Sequence, residues 1–143
     1  MDPFRAAEIS ASGMVAQKTR IEAAAANLAN MHTANTASGS NYAPVTVVVR
    51  AAQTAFAQAF EGAAPAPSSV VAEVVPQAGG APRLSYEPGH PDADASGMVS
   101  YPAIDHTREM MTVMTAMRAY EANLAALQAT KALATRALEI GGQ

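Results

Sequence analysis

Apolar positions between Asp105 and Ile140 recur at steps that alternate three and four: Met110, Val113, Met117, Tyr120, Leu124, Leu127, Lys131, Ala134 and Leu138. That is the spacing of a coiled-coil seam, a stripe narrow enough for one partner helix to cover. No proline or glycine interrupts the run before Gly141, and Ala, Leu, Met, Gln and Glu supply helix propensity. At about 1.5 Å per residue the rod is roughly 50 Å long, too long to hide inside so short a chain. The other end of the sequence carries a matching stripe. Phe4, Ala7, Ala11, Met14, Lys18, Ile21, Ala25 and Leu28 repeat the alternation, and Pro3 suits a first helical turn.

These patterns predict helices over 3–30 and 105–140. Paired antiparallel, they place Phe4 near Leu138 and Ile21 near Tyr120. Lys18 and Lys131 either snorkel past small neighbours or mark where each stripe leaves the seam. Small faces such as Ala23–Ala26 and Ala125, Ala126 and Ala129 permit close helix approach. Asn27 and Asn30 are candidates to close the first helix, since Asn tolerates the left-handed conformation at a helix end.

The centre follows a different pattern. Tyr42–Arg50 is rich in β-branched residues and reads as a strand, as does Ser69–Val75. Ala52–Glu61 suggests a short helix with Phe56 and Phe60 on one face, followed by a Gly62–Ser68 linker. Leu84–Tyr86 and Met98–Tyr101 are short strands around a proline- and aspartate-rich loop. The expected fold is mainly α with a small β-containing central region. Residues 1–30 and 105–143 form an antiparallel coiled-coil stalk, and residues 31–104 a small head.

Composition narrows the function. The formal net charge is −3 and no Lys/Arg cluster is present, so nucleic-acid binding has no electrostatic support. Half of the residues are hydrophobic, yet aromatics are only 5%, so little area is available for a large core and stability must come from helix pairing or neighbours. With no cysteine, there is no disulfide, thiolate metal site or thiol nucleophile. No signal-peptide pattern opens the chain, and no apolar run is long enough to span a membrane.

Candidate chemistry is sparse. Asp92-Ala-Asp94-Ala-Ser96-Gly97 resembles the start of a calcium loop, but its twelfth position, which must carry a carboxylate, is Ala103. An ordered loop held by Asp side chains on backbone amides is the favoured reading. His90, Asp92 and Asp94 lack the spacing of a zinc site, and Asp105-His106 lacks a third ligand. No GxSxG, phosphate loop or HExxH occurs. The expectation is a non-enzymatic chain without cofactor or metal. Met110, Met111, Met114 and Met117 form a methionine-rich face, part seam and part adaptable contact surface.

Several motifs carry a family resemblance. Ser12-Gly13-Met14, Gln17, Arg20 and Asn27-Leu28-Ala29-Asn30 resemble the N-terminal signature of the bacterial flagellar axial proteins, the rod and hook family. Arg118-Ala119-Tyr120-Glu121-Ala122-Asn123 resembles its C-terminal signature. Tyr86-Glu87-Pro88-Gly89-His90-Pro91-Asp92-Ala93-Asp94, with Gly97-Met98-Val99, Pro102, Asp105 and Glu109-Met110, is similar to the proximal rod members of that family. Met98 stands where that family usually has an aromatic residue and Ala103 where it usually has asparagine. The stretch from about Ala51 to Pro82 carries no resemblance.

The resemblance implies a structural subunit of the basal-body rod in the periplasm. Such a subunit is exported by the flagellar type III apparatus without a cleaved signal peptide. It polymerises with itself and other rod proteins, against the adaptor between MS ring and rod, into a helical tube that transmits torque and encloses the export channel. It further implies assembly residues Asn27, Leu28, Asn30, Met114, Met117, Arg118, Tyr120, Asn123, Leu124 and Leu127, with Tyr86, Pro88, Gly89, Asp92 and Asp94 shaping an inter-subunit loop. A free-standing coiled-coil adaptor or export chaperone is the alternative. A small metal-dependent enzyme built on His90, Asp92 and Asp94 is a third reading.

Overall fold

The computed structural model describes residues 3–34, 42–52, 69–77 and 80–141. Helix α1 spans Pro3–Asn30, strands β1 Val45–Ala51, β2 Val70–Pro76, β3 Arg83–Tyr86 and β4 Met98–Tyr101, and helix α2 His106–Gly141. The fold is therefore mainly helical with a small β region. The expected helix over Ala52–Glu61 and the Gly62–Ser68 linker lie outside the described residues, apart from Ala52 at their edge.

Local chemistry explains where the elements stop. Asp105 caps α2: its Oδ1 accepts the Thr107 and Arg108 amides at 2.9 and 3.2 Å, satisfying two of the donors left open at a helix start. The end of α1 differs from expectation. Among the described residues no non-glycine has positive φ, so neither Asn27 nor Asn30 takes the left-handed conformation. Asn30 instead turns its side chain back and donates from Nδ2 to the Ala26 carbonyl at 2.8 Å.

Strands β1 and β2 form one two-stranded sheet, and β3 and β4 another. Flanking bonds from Ala52 N to Ser69 O and from Gln77 N to Pro44 O, both 2.7 Å, show that β1 and β2 run antiparallel. In the second pair Arg83 faces Tyr101, Leu84 faces Ser100, Ser85 faces Val99 and Tyr86 faces Met98.

The chain divides into two compact units. The first holds residues 1–19, 48–73 and 115–143; the second holds 20–47 and 74–114. In the first unit Ser10, Ala16 and Ala116 are buried. Ser12 donates to the Ile9 carbonyl at 2.8 Å and accepts the Val70 amide at 3.0 Å, joining the start of β2 to α1. In the second unit Ala23, Ala24, Asn27, Val99, Tyr101 and Glu109 are buried.

The buried stripes do not coincide with the expected seams. On α1 the most covered positions are Ser10, Ala16, Ala23, Ala24 and Asn27; on α2 they are Glu109 and Ala116, continued by the half-buried Ala119, Asn123 and Thr130. Most of these precede an expected seam position by one residue, a rotation of about 100° at 3.6 residues per turn. Met110, Met117, Tyr120, Leu124 and Lys131 are exposed, as are Lys18 and Ala25. Phe4 and Leu138 remain 79% and 78% exposed. The fully buried apolar positions of both helices are alanines, while several large apolar side chains, among them Phe4, Val15, Met111 and Met114, are exposed. Small side chains permit the closest approach between backbones, which recovers in dispersion contacts what they lack in area.

Candidate assembly surfaces

Asn27 lies where α1 meets the start of β1 in the second unit and is 1% exposed. Its Nδ2 donates to the Val45 carbonyl at 2.8 Å, and its Oδ1 accepts the Val45 amide and the Tyr42 hydroxyl, each at 2.9 Å. The side-chain amide thus pairs with the Val45 backbone as a neighbouring strand would, and satisfies polar groups that burial would otherwise strand. Burial, and then the nearby charge of Glu109, push the Tyr42 phenol above its ordinary value of 10.0. Asn27, one of the expected assembly residues, makes three hydrogen bonds within the unit. Leu28 and Asn30, from the same motif, are half-buried.

The other end of the chain meets α1 in the first unit. A Cβ on Gly13 would stand 2.9 Å from Asn123 Oδ1 and 3.1 Å from its Cγ and Nδ2. Asn123 is held there by a bond from Nδ2 to the Ala119 carbonyl at 2.9 Å. The N-terminal Ser-Gly-Met motif and the C-terminal motif ending in Asn123 therefore meet side to side, a juxtaposition that spacing along the chain could not reveal. Replacing glycine by alanine in a helix normally gains about 1 kcal/mol, whereas forcing a methyl into filled space costs about 1–3 kcal/mol. Gly13→Ala is expected to lower stability in urea denaturation. In an Asn123→Ala background the same change should raise it by about 1 kcal/mol. If the sign does not reverse, the contact is not what requires glycine.

The remaining expected assembly residues on α2 divide by exposure. Met114, Met117, Arg118, Tyr120 and Leu124 are exposed, and Leu127 is half-buried. The exposed apolar members continue through Leu133, Leu138 and Ile140. Phe4 and Val15 are exposed on α1.

The loop between β3 and β4 is built on Asp94. Its Oδ1 accepts the Ser96 and Met98 amides at 2.8 and 2.9 Å, its amide donates to the Met98 carbonyl, and its carbonyl accepts the Gly97 amide. Gly97 has φ +75°, and a Cβ there would lie 3.0 Å from the Tyr86 ring and 3.2 Å from Pro88, so glycine is needed for both conformation and space. His90 Nδ1 accepts the Asp92 amide at 3.1 Å. The loop is thus ordered by Asp side-chain to backbone bonds. Among the described residues no three His, Asp or Glu side chains are grouped to hold a metal ion. Tyr86, Pro88 and Gly89 are exposed, and a side chain at Gly89 would meet nothing within 4 Å.

Below the loop, the Tyr101 hydroxyl donates to Glu87 Oε2 at 3.1 Å, and the Arg83 guanidinium sits over the Tyr101 ring at 5.4 Å. Burial, with the Glu87 bond second, raises the Tyr101 phenol above its ordinary 10.0. A cavity of about 270 Å³ in the same unit is bordered by Gln77, Arg83, Ile104, Asp105, Arg108 and Glu109, among others. Buried Glu109 and the Asn27–Tyr42 pair are the features that sequence reasoning missed. A lone Glu within a polar helix turn gives no sign of burial.

Comparison with known proteins places these features. The family model "Flagellar basal body rod FlgEFG protein C-terminal" matches residues 95–140. The flagellar basal-body rod protein FlgC of Bacillus subtilis is 32% identical over 149 residues, covering 99% of both chains. The chain belongs to the FlgC family of flagellar basal-body rod proteins. The FlgC proteins of Salmonella typhimurium and Aquifex aeolicus are 36% and 37% identical, covering 94% and 97% of each chain. The FlgC family is one of structural rod proteins, not of enzymes. Among the described residues no helix is long and apolar enough to cross a membrane.

Proposed function

We propose that this FlgC relative is a subunit of the proximal rod. It polymerises with itself and other rod proteins into the periplasmic drive shaft, which transmits torque and encloses the export channel. The observation that carries this reading is the exposure of large apolar side chains on both terminal helices: Phe4, Val15, Met111, Met114, Leu133, Leu138 and Ile140 stay exposed, while the fully buried apolar helix positions are alanines. Exposed apolar side chains of this size suit packing between helices of neighbouring subunits in a tube. Lateral helix packing of that density lets torque pass from subunit to subunit. The coiled-coil stalk expected from the stripes is thereby reassigned to contacts between copies. The Tyr86–Asp94 loop, rigid through Asp94 and exposed at Tyr86 and Pro88, is suited to seat against a neighbour. Arrival through the type III export apparatus fits a cysteine-free, aromatic-poor chain that threads easily when unfolded.

Hydrogen exchange tests the reading. In the isolated chain, amides over 4–15 and 125–141 should exchange much faster than those around Asn27 and Val99, and should become protected on incorporation into rods. Strong protection of both ends in a discrete soluble oligomer would instead support a self-sufficient adaptor or chaperone.

A further inference from the structure

Met110, Met111, Met114 and Met117 are 42%, 60%, 53% and 50% exposed. They occupy two successive turns of α2, at spacings of three and four residues along the helix. None lies on the buried stripe of Glu109 and Ala116. Met14, Met31 and Met98 are only half-buried to the same solvent, each less open than these four. A thioether reacts with peroxide by accepting one oxygen atom: the O–O bond breaks, sulfur is oxidised by two electrons to the sulfoxide, and water leaves. The product is polar and chiral, and it disrupts methionine-rich interfaces.

We propose that these four methionines are an oxidant-sensitive modification site. Hydrogen peroxide converts them to sulfoxides in the unassembled chain, leaving its fold intact and blocking its assembly. The effect on assembly rests on the rod reading above; the order of oxidation does not. Because all four residues lie off the buried stripe and are at least 42% exposed, sulfoxidation leaves the buried positions of α2 untouched. On assembly it places a sulfur–oxygen dipole where an apolar contact is needed, and burying an unpaired polar group is costly. A sulfoxide reductase would reverse the change.

Peptide mass spectrometry of the purified full chain under limiting peroxide tests the first half. The four α2 methionines should be oxidised before Met14, Met31 and Met98, with an unchanged helical circular-dichroism spectrum. Equal or reversed order, or loss of helix at the same dose, overturns the proposal. The second half uses two variants in cells lacking the native chain. Changing all four methionines to glutamine, which mimics the sulfoxide, should lower incorporation into purified basal bodies roughly tenfold or more, whereas all four to leucine should preserve it. Equal incorporation of both variants overturns the assembly block. If the unsubstituted chain itself fails to enter basal bodies, the rod reading fails instead, and the oxidation order stands or falls alone.

Discussion

Asn27→Ala is expected to destabilise the chain by about 3 kcal/mol, because each buried group left without its partner costs roughly 1–3 kcal/mol. The change removes the one acceptor of the Val45 amide and Tyr42 hydroxyl and the donor to the Val45 carbonyl. The methyl that replaces the amide cannot recover these bonds, and at 1% exposure water cannot reach them without opening the unit. Against a total stability of about 5–15 kcal/mol for an ordinary domain, the loss is a large fraction. Asn27→Asp offers no rescue. It keeps acceptors for Val45 N and Tyr42, but sets a carboxylate against the Val45 carbonyl and near Glu109. Urea denaturation, with amide exchange followed at Val45, measures both. An Asn27→Ala chain within about 1 kcal/mol of the parent would mean that β1 is held to α1 by something other than this amide.

The same residue shows where the sequence was legible and where it was not. Element type and position followed from local chemistry: the three-four alternation marked both helices, β-branched runs marked β1 and β2, and the Asp and Gly of 92–97 marked a turn. Each of these signals acts within a few residues, so the chain displays it directly. Which face of a helix is buried depends on what comes to meet it, and hydrophobicity alone pointed to the larger side chains. The buried faces are instead built on Ala16, Ala23, Ala24 and Ala116, with Gly13 open to Asn123. A signal was present. Gly13 and Asn27 each stand one residue before an expected seam position, and both belong to the motifs that carried the family resemblance. A large apolar residue that repeats at seam spacing on a chain this small need not be core. In a polymer subunit the core and the interface compete for the same residues, and here the small ones are covered within the chain. Glu109 and Tyr42 were illegible for a further reason: their proximity joins segments far apart in sequence, with no pattern linking them.

Leu124→Asp is expected to leave the isolated chain folded and to abolish incorporation into basal bodies, with loss of swimming. Leu124 is 38% exposed, so in the free subunit the carboxylate reaches water and the cost is the propensity difference plus the apolar area given up, about 1–2 kcal/mol. Packed against a neighbouring helix, the same carboxylate would be desolvated without a cation, a penalty of several kcal/mol at each repeated contact. Ala116→Asp is the counterpart. At 0% exposure its charge has no route to water even in the monomer, so that chain should fail to fold at all. Thermal unfolding of both purified chains, together with immunoblots of isolated basal bodies, separates the cases. If Leu124→Asp unfolds the free chain as Ala116→Asp does, Leu124 is part of the core and not of an assembly surface. If both chains fold and the Leu124→Asp cells swim normally, Leu124 bears no load in the rod, and assembly must run through the loop between β3 and β4 or the exposed face of α1.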